Sequence, residues 1–207
     1  MKKLLVVVSV LLILVSLSAF VAPAVAADTP YIAMISKGFQ HKFWQTVQAG
    51  AQAAAEKYGV KITFDGPPSE SDISVQVDML NAAMANNPAA LCLAALDTES
   101  VTEQLNTCKE KGIPVIGFDS GVPNAPEGSI ISTASTDNEA AGALAADQMA
   151  GIEKVMAAIT GATKDAPIVL SVISQDATSA SITGRTTGFV NRMYEICNEK
   201  QPGLVAV

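Results

Sequence analysis

Short apolar runs and helix-spaced apolar stripes take turns along the chain from residue 31 onward. Residues 31–36 form an apolar run and read as a first strand. Phe43, Val47, Ala51, Ala54 and Tyr58 recur at helical spacing, and Gly59 stops that helix. Residues 60–64 are a second strand, closed by Asp65-Gly66-Pro67-Pro68. Ile73, Val77, Leu80 and Met84 form the next stripe, which ends at Asn86-Asn87-Pro88. A third strand (89–94), a helix marked by Val101, Leu105 and Cys108 and ended by Gly112, and a fourth strand (113–118) follow. Residues 129–133 read as a fifth strand, before a helix from Asn138 through Met149. A polar stretch, 161–166, then resembles a boundary. Residues 167–173 restart the pattern as a new strand, and a helix spans about 183–199.

Strands that are apolar throughout and alternate with helices indicate βαβ units around a parallel sheet buried on both faces. The expected fold class is therefore α/β, a doubly wound parallel sheet with Rossmann-like topology.

The first 26 residues stand apart. Lys2 and Lys3 precede an almost unbroken apolar run from Leu4 to Ala22, and Ala24-Val25-Ala26 supplies a small-x-small cleavage pattern. Residues 1–26 thus read as a signal peptide and place the mature protein in the periplasm. An uncleaved membrane anchor is the alternative, since the run approaches the roughly 20 residues of a span. No Cys sits at the junction, so a lipid-anchored form is not expected.

Composition narrows the function. The chain has 207 residues, 13 Lys+Arg against 20 Asp+Glu, and a net charge of −7. Its acidity opposes a nucleic-acid partner. Cys92, Cys108 and Cys197 lack metal-ligand spacing. An oxidising compartment would let Cys92 and Cys108 pair, but both lie at apolar positions and read as buried free thiols. The sequence has no GxSxG, Walker loop, GxGxxG after the first strand, or HExxH, so no enzyme, cofactor or metal site is expected.

Ligands of open parallel sheets bind beyond the carboxyl ends of the strands. Those ends carry Gln40, His41, Phe43 and Trp44 after the first strand, Asp97 after the third, Asp119 after the fourth, Thr136 after the fifth, and Arg185 after the restart. Aromatic rings cover the C–H faces of a sugar, and Asp, Gln, His and Arg bond its hydroxyls. The bland readings stand beside this one. An aromatic ring can pack as core, Asp119 can make a turn, Asp137 can cap a helix, and His41 and Arg185 can be solvated.

At these residues the chain resembles the ribose/galactose type of periplasmic binding protein, also called type I. The matching stretches are Phe43-Trp44 with Gly50-Ala51, the run from Gly112 to Asp119, Thr136-Asp137-Asn138 with Gly142, and Gly184-Arg185 with Gly188-Phe189. The resemblance implies two α/β lobes closing about a hinge on a small ligand. The division would be an N-terminal lobe at 27–135 and a partial C-terminal lobe at 136–207, the chain reading as truncated. It implies an aromatic pair, Phe43 and Trp44, on the sugar ring, with Asp119, Thr136 and Arg185 on its hydroxyls. Thr183, two residues earlier, is the position best matched to the ligand arginine of that family. Ala94-Ala95 replaces an Asn-Pro of ribose-binding relatives, and Gln40-His41 replaces an Asn, which points to another monosaccharide or sugar-like ligand. The implied function is the binding component of an ABC importer, monomeric when complete, with a membrane permease as partner. A periplasmic sugar sensor feeding a chemoreceptor or histidine kinase is the alternative, and a small-molecule-converting α/β enzyme a more distant one. A sugar-responsive repressor would need a DNA-binding headpiece where this chain has an export signal.

Overall fold

A computed structural model describes residues 28–203 and 205. The expected signal peptide, 1–26, lies outside the described residues. Among the described residues, helices separate the first four of five strands: β1 (Tyr31–Ile35), α1 (Lys42–Tyr58), β2 (Lys61–Asp65), α2 (Ile73–Ala85), β3 (Ala90–Leu93), α3 (Thr102–Lys111), β4 (Val115–Phe118) and β5 (Ser132–Ala134). Three helices follow: α4 (Asn138–Ala150), α5 (Glu153–Gly161) and α6 (Ala180–Lys200). The sheet is wholly parallel, in the order β2-β1-β3-β4-β5. This is a doubly wound α/β sheet. Its topological switch point lies between β1 and β3.

The winding explains why the inner strands are apolar on both faces, while the edge strands β2 and β5 expose polar residues. The chain steps outward from β1 to β2, then crosses back over β1 to β3 and continues in that direction to β4. Right-handed crossovers put helices made on the two directions on opposite faces. Ala33, Ile35, Leu91, Leu93 and Val115 accordingly pack with Leu80, Met84, Leu105 and Cys108 of α2 and α3. Met34, Phe64, Ala94 and Phe118 pack on the other side with Trp44, Val47 and Ala51 of α1. Alternate residues of one strand thus enter different cores.

The helix stops are those the sequence predicts. Gly59 and Gly112 adopt left-handed φ of 64° and 68°, where glycine carries no Cβ penalty. The α1 stripe differs by one position. Trp44 and Ala55 are buried, whereas Phe43 and Tyr58 are exposed. Adjacent helical residues point about 100° apart, so a one-residue shift exchanges core and surface.

The last third differs more. Residues 167–173 form no strand, and Ile173 is 96 % exposed. A strand exists by pairing, and no described segment pairs with this one. Its apolar side chains line an open groove of about 530 Å³ with Phe189, Met193 and Tyr194 of α6. Helix α5, which was not expected, packs through Ile159 with Ala146 of α4 and Met193 of α6. Helix α6 begins at Ala180, three residues before the expected start. It crosses α4 at close range. A Cβ on Gly142 would strike the Arg185 carbonyl oxygen, and one on Gly188 would strike that of Glu139.

The three cysteines are free thiols; Cys108 is buried as expected, whereas Cys92 is only half-buried. Cys108 lies against Met84, its sulfur 3.3 Å from the thioether.

Candidate functional site

The carboxyl ends of β1 and β3 are tied together by a buried amide. Gln76, on α2, donates through Nε2 to the carbonyls of Ser36 and Ala94, both at 2.9 Å. Its Oε1 accepts from the Leu96 N–H at 2.9 Å. Ser36 follows β1 and Ala94 follows β3, so one side chain ties the two strands where they diverge. Ser36 Oγ also donates to the Gly38 carbonyl (2.6 Å) and the Asp65 carbonyl (3.1 Å), which joins the β2 end to the same knot. Neighbouring strand ends are thus fixed by polar groups that are themselves satisfied.

From this frame the Lys37 side chain enters the protein rather than solvent. It is 3 % exposed. Its Nζ donates to Ser181 Oγ at 2.9 Å and lies 3.4 Å from Asp119 Oδ2. Asp119 directly follows β4 and holds φ at +57°, an uncommon value for a non-glycine residue. The Asp119 N–H donates to Ala134 O (2.9 Å) and the Ser120 N–H to Phe118 O (2.6 Å), which locks this turn. Ser120 Oγ accepts from the Ser181 N–H at 3.2 Å. A cation, a carboxylate and two serines, drawn from β1, β4 and α6, thus meet at one point.

An aromatic row adjoins that point. Trp44 is 2 % exposed and packs edge-on to Phe118 (6.2 Å between ring centroids) and to Phe43 (4.8 Å). Its Nε1 donates to Glu70 Oε1 at 2.8 Å. The other Glu70 oxygen accepts from Gln175 Nε2 at 2.8 Å. Trp44 is therefore a core ring with a satisfied polar tip. Phe43, 46 % exposed, is the ring that reaches the surface.

The remaining expected residues are placed as follows. Gln40 and His41 are exposed in the loop after β1. His41 caps α1, its Nδ1 accepting from the Phe43 N–H at 3.1 Å. Thr136 is exposed after β5, and its carbonyl accepts from Asn138 Nδ2 at 3.0 Å. Asp137 caps α4 through the Ala140 N–H at 3.0 Å. Arg185 is exposed on α6, one turn beyond Ser181. The structure joins Phe43 to Trp44, and Trp44 through Phe118 to the Asp119 turn. It brings neither Thr136 nor Arg185 into hydrogen-bond contact with Asp119 among the described residues.

Asp97, after β3, turns the chain into α3. Partial burial opposes its charge, but hydrogen bonds from the Ser100 side chain and from the Ser100 and Glu99 N–H groups hold the carboxyl below its usual range. A second, smaller cavity of about 240 Å³ opens beside the Asp119 turn, lined by Gly121, Thr133, Ser135, Asn138 and Ser181. The large apolar groove of 167–172 shares no lining residue with the polar cluster, so its chemistry is separate. Among the described residues no metal-ligand group occurs, and no helix is long and apolar enough to cross a membrane.

Sequence reading assigned no role to Lys37, Glu70, Gln76 or Ser181. A polar residue inside an apolar stripe, as Gln76 is among Ile73, Val77 and Leu80, was the available signal for one of them.

The model of the periplasmic binding protein domain family matches residues 32–195. The chain belongs to that family. A curated relative, the ribose import binding protein of Haemophilus influenzae, is 29 % identical over 150 residues, which cover 72 % of this chain and 48 % of the relative. A solved structure titled as an ABC transporter, LacI family transcriptional regulator from Brachyspira murdochii is 46 % identical, with a TM-score of 0.71, over 83 % of this chain and 53 % of that one. An ABC transporter solute binding protein of Agrobacterium vitis with bound D-fucose is 34 % identical, with a TM-score of 0.68, over 79 % of this chain and 53 % of that one. The chain thus spans about half the length of the relatives it matches. The ribose and D-fucose relatives are transport binding proteins, not enzymes.

Proposed function

We propose that this chain serves capture of a monosaccharide or a sugar-like molecule, as the binding component of an ABC importer in the periplasm. The observation that carries the reading is the Lys37–Asp119 pair at the strand ends, flanked by the aromatic row of Phe118, Trp44 and Phe43. A sugar needs an apolar surface for its C–H face and paired donors and acceptors for its hydroxyls. The ribose and D-fucose relatives supply the ligand class.

In this reading Phe43 meets the sugar ring and Trp44 holds Phe43 in place from below. Asp119 accepts from a hydroxyl. Gln40, His41, Thr136 and Arg185 contribute at the rim. Residues 27–135 form one lobe, and residues from 136 onward begin the other. Ligand bridges the two and shifts the population toward a closed form about the hinge. The closed form then docks on a membrane permease, while ATP is hydrolysed on another subunit. Residues 1–26 act as the cleaved export signal.

A thermal-shift screen tests this against pentoses, hexoses, 6-deoxyhexoses and polyols. A sugar at 100 times its Kd stabilises the native state by about 2.7 kcal/mol and raises Tm by several degrees. A nucleoside or an amino acid that shifts Tm while no sugar does would overturn the reading.

A further inference from the structure

We propose that Glu70 is a positioning residue of the cleft: its carboxylate joins the Trp44 indole to Gln175, so that the segment ahead of α6 helps to set the aromatic row that meets the sugar. Glu70 acts through these two side chains and does not touch the sugar. The inference rests on the sugar-capture reading above.

Trp44 Nε1 donates to Glu70 Oε1 and Gln175 Nε2 donates to Glu70 Oε2, each at 2.8 Å. An indole N–H can only donate, and an ionised carboxylate can only accept. Glu70 therefore serves both donors at once, one oxygen to each. Trp44 is 2 % exposed, so its N–H needs an acceptor within the fold. The seat of Glu70 is built by the chain around it. A Cβ on Gly66 would strike Ser36 Oγ and stand 2.7 Å from the Gly38 carbonyl oxygen, so the absence of a side chain lets the loop after β2 lie against the loop after β1. Pro67 is buried there. The Ser69 carbonyl accepts from the Asp72 N–H at 3.1 Å and Ser69 Oγ from the Ser71 N–H at 3.3 Å, which turns the chain around Glu70. A Cβ on Gly38 would press on Glu70 Cγ at 3.1 Å and on Trp44 Nε1 at 3.3 Å, so Gly38 leaves room for their contact.

The far side of the carboxylate belongs to a different part of the chain. Gln175 lies 105 residues from Glu70, on the segment that leads into α6. That segment is fixed just beyond Gln175. Thr178 Oγ1 donates to the Leu96 carbonyl at 3.0 Å, and the Asp176 carboxylate accepts from the Thr178 and Ser179 N–H groups at 3.0 and 2.8 Å. On the near side, the Trp44 ring stands edge-on to Phe43, with 4.8 Å between centroids, and Phe43 is the half-exposed ring. A hydrogen bond at the indole tip fixes the tilt of a ring that packing alone would leave free to rock, and the Phe43 face is set against that ring. Docking of the 174–179 segment and orientation of the aromatic row thus share one carboxylate. A sugar that needs both gains from having them ordered together before it arrives.

Wild type, Gln175→Leu, Glu70→Gln and Glu70→Leu are titrated calorimetrically with D-ribose, D-fucose and D-galactose, with the sugar-free Tm as fold control. Gln175 is exposed, so Gln175→Leu should leave Tm within about 2 °C of wild type. It should nevertheless weaken the bound sugar about fivefold, the change that one hydrogen bond of ordinary strength controls. The chain has a single tryptophan, so one indole ¹H–¹⁵N resonance reports on Trp44. That resonance should move in sugar-saturated Gln175→Leu, although Glu70 stands between the two side chains. Glu70→Gln keeps an acceptor for the indole, and Gln175 can turn its amide to meet the new one, so affinity should stay within about twofold of wild type. Glu70→Leu removes both bonds and should weaken binding about tenfold or more. A merely structural contact leaves the affinity or the indole resonance of Gln175→Leu unchanged, and either result overturns the proposal. A loss of about fivefold in Glu70→Gln overturns it as well. Should Glu70→Leu fail to fold, Gln175→Leu and Glu70→Gln decide. If wild type binds none of the three sugars, the capture reading itself has failed, a result distinct from unequal variants of a binding protein.

Discussion

Replacing Gln76 by leucine tests whether the strand ends are held by the buried amide. The change keeps side-chain volume nearly constant, so packing strain should be small. It removes three hydrogen bonds of 2.9 Å at once. The Leu96 N–H is left without its acceptor in a buried setting, at about 1–3 kcal/mol. The carbonyls of Ser36 and Ala94 each lose one donor, at about 1 kcal/mol apiece. The expected loss is about 3–5 kcal/mol, or on the order of 10 °C in Tm for a chain of this size. Urea unfolding followed by circular dichroism and by fluorescence of Trp44 measures it, with an unchanged m-value as the sign that only stability moved. A loss below about 1 kcal/mol would refute the reasoning, because it would mean that these groups find other partners freely.

Other substitutions discriminate between neighbours. Trp44→Ala should cost about 3–5 kcal/mol, as a buried aromatic truncation does, while Phe43→Ala, at a half-exposed ring, should cost about 1 kcal/mol or less in urea unfolding and act mainly on sugar affinity. Gly188→Ala should lose about 2 kcal/mol or more, because its Cβ meets the Glu139 carbonyl, whereas Gly50→Ala, in open space within α1, should gain about 0.5–1 kcal/mol. Burial pushes the thiols of Cys92, Cys108 and Cys197 above their ordinary range, so less thiolate is present at a given pH and iodoacetamide at pH 8 should modify Cys108 far more slowly in native than in urea-unfolded protein, as read by mass spectrometry.

Most of the sheet was legible because the strands are short, the inner ones β1, β3 and β4 are apolar, and breakers such as Asp65-Gly66-Pro67-Pro68 close them. Gly59 and Gly112 marked helix ends through the one conformation that glycine adopts without cost. The choice between Phe43 and Trp44 was not legible. Both are large and apolar, and only the seat of α1 on Phe64 and Ala94 decides which ring turns inward. Residues 167–173 have strand composition, yet composition does not supply a pairing partner. The burial of Lys37 was not legible, because it meets Ser181 and no local pattern reports a contact across 144 residues.

The distribution of buried polarity now says where the molecule commits itself. Among the described residues, Ser36, Lys37, Gln76, Ser120, Ser179 and Ser181 are buried and gather where the carboxyl ends of the strands meet the start of α6, and only Gln104 and Ser129 are buried polar residues elsewhere. Burying polar groups costs stability unless each is paired, so their concentration at one end is a departure that local folding rules do not require. Within the cluster the parts differ in kind. Gln76 is fully bonded and fixes backbone; Lys37 and Asp119 bring opposite charges to within 3.4 Å of each other. A rigid frame around a charged pair is what preorganised recognition needs, because the ordering cost is met during folding rather than on binding. It follows that Gln76→Leu should weaken sugar binding even under conditions where the variant is fully folded, since it loosens the backbone from which Lys37 projects.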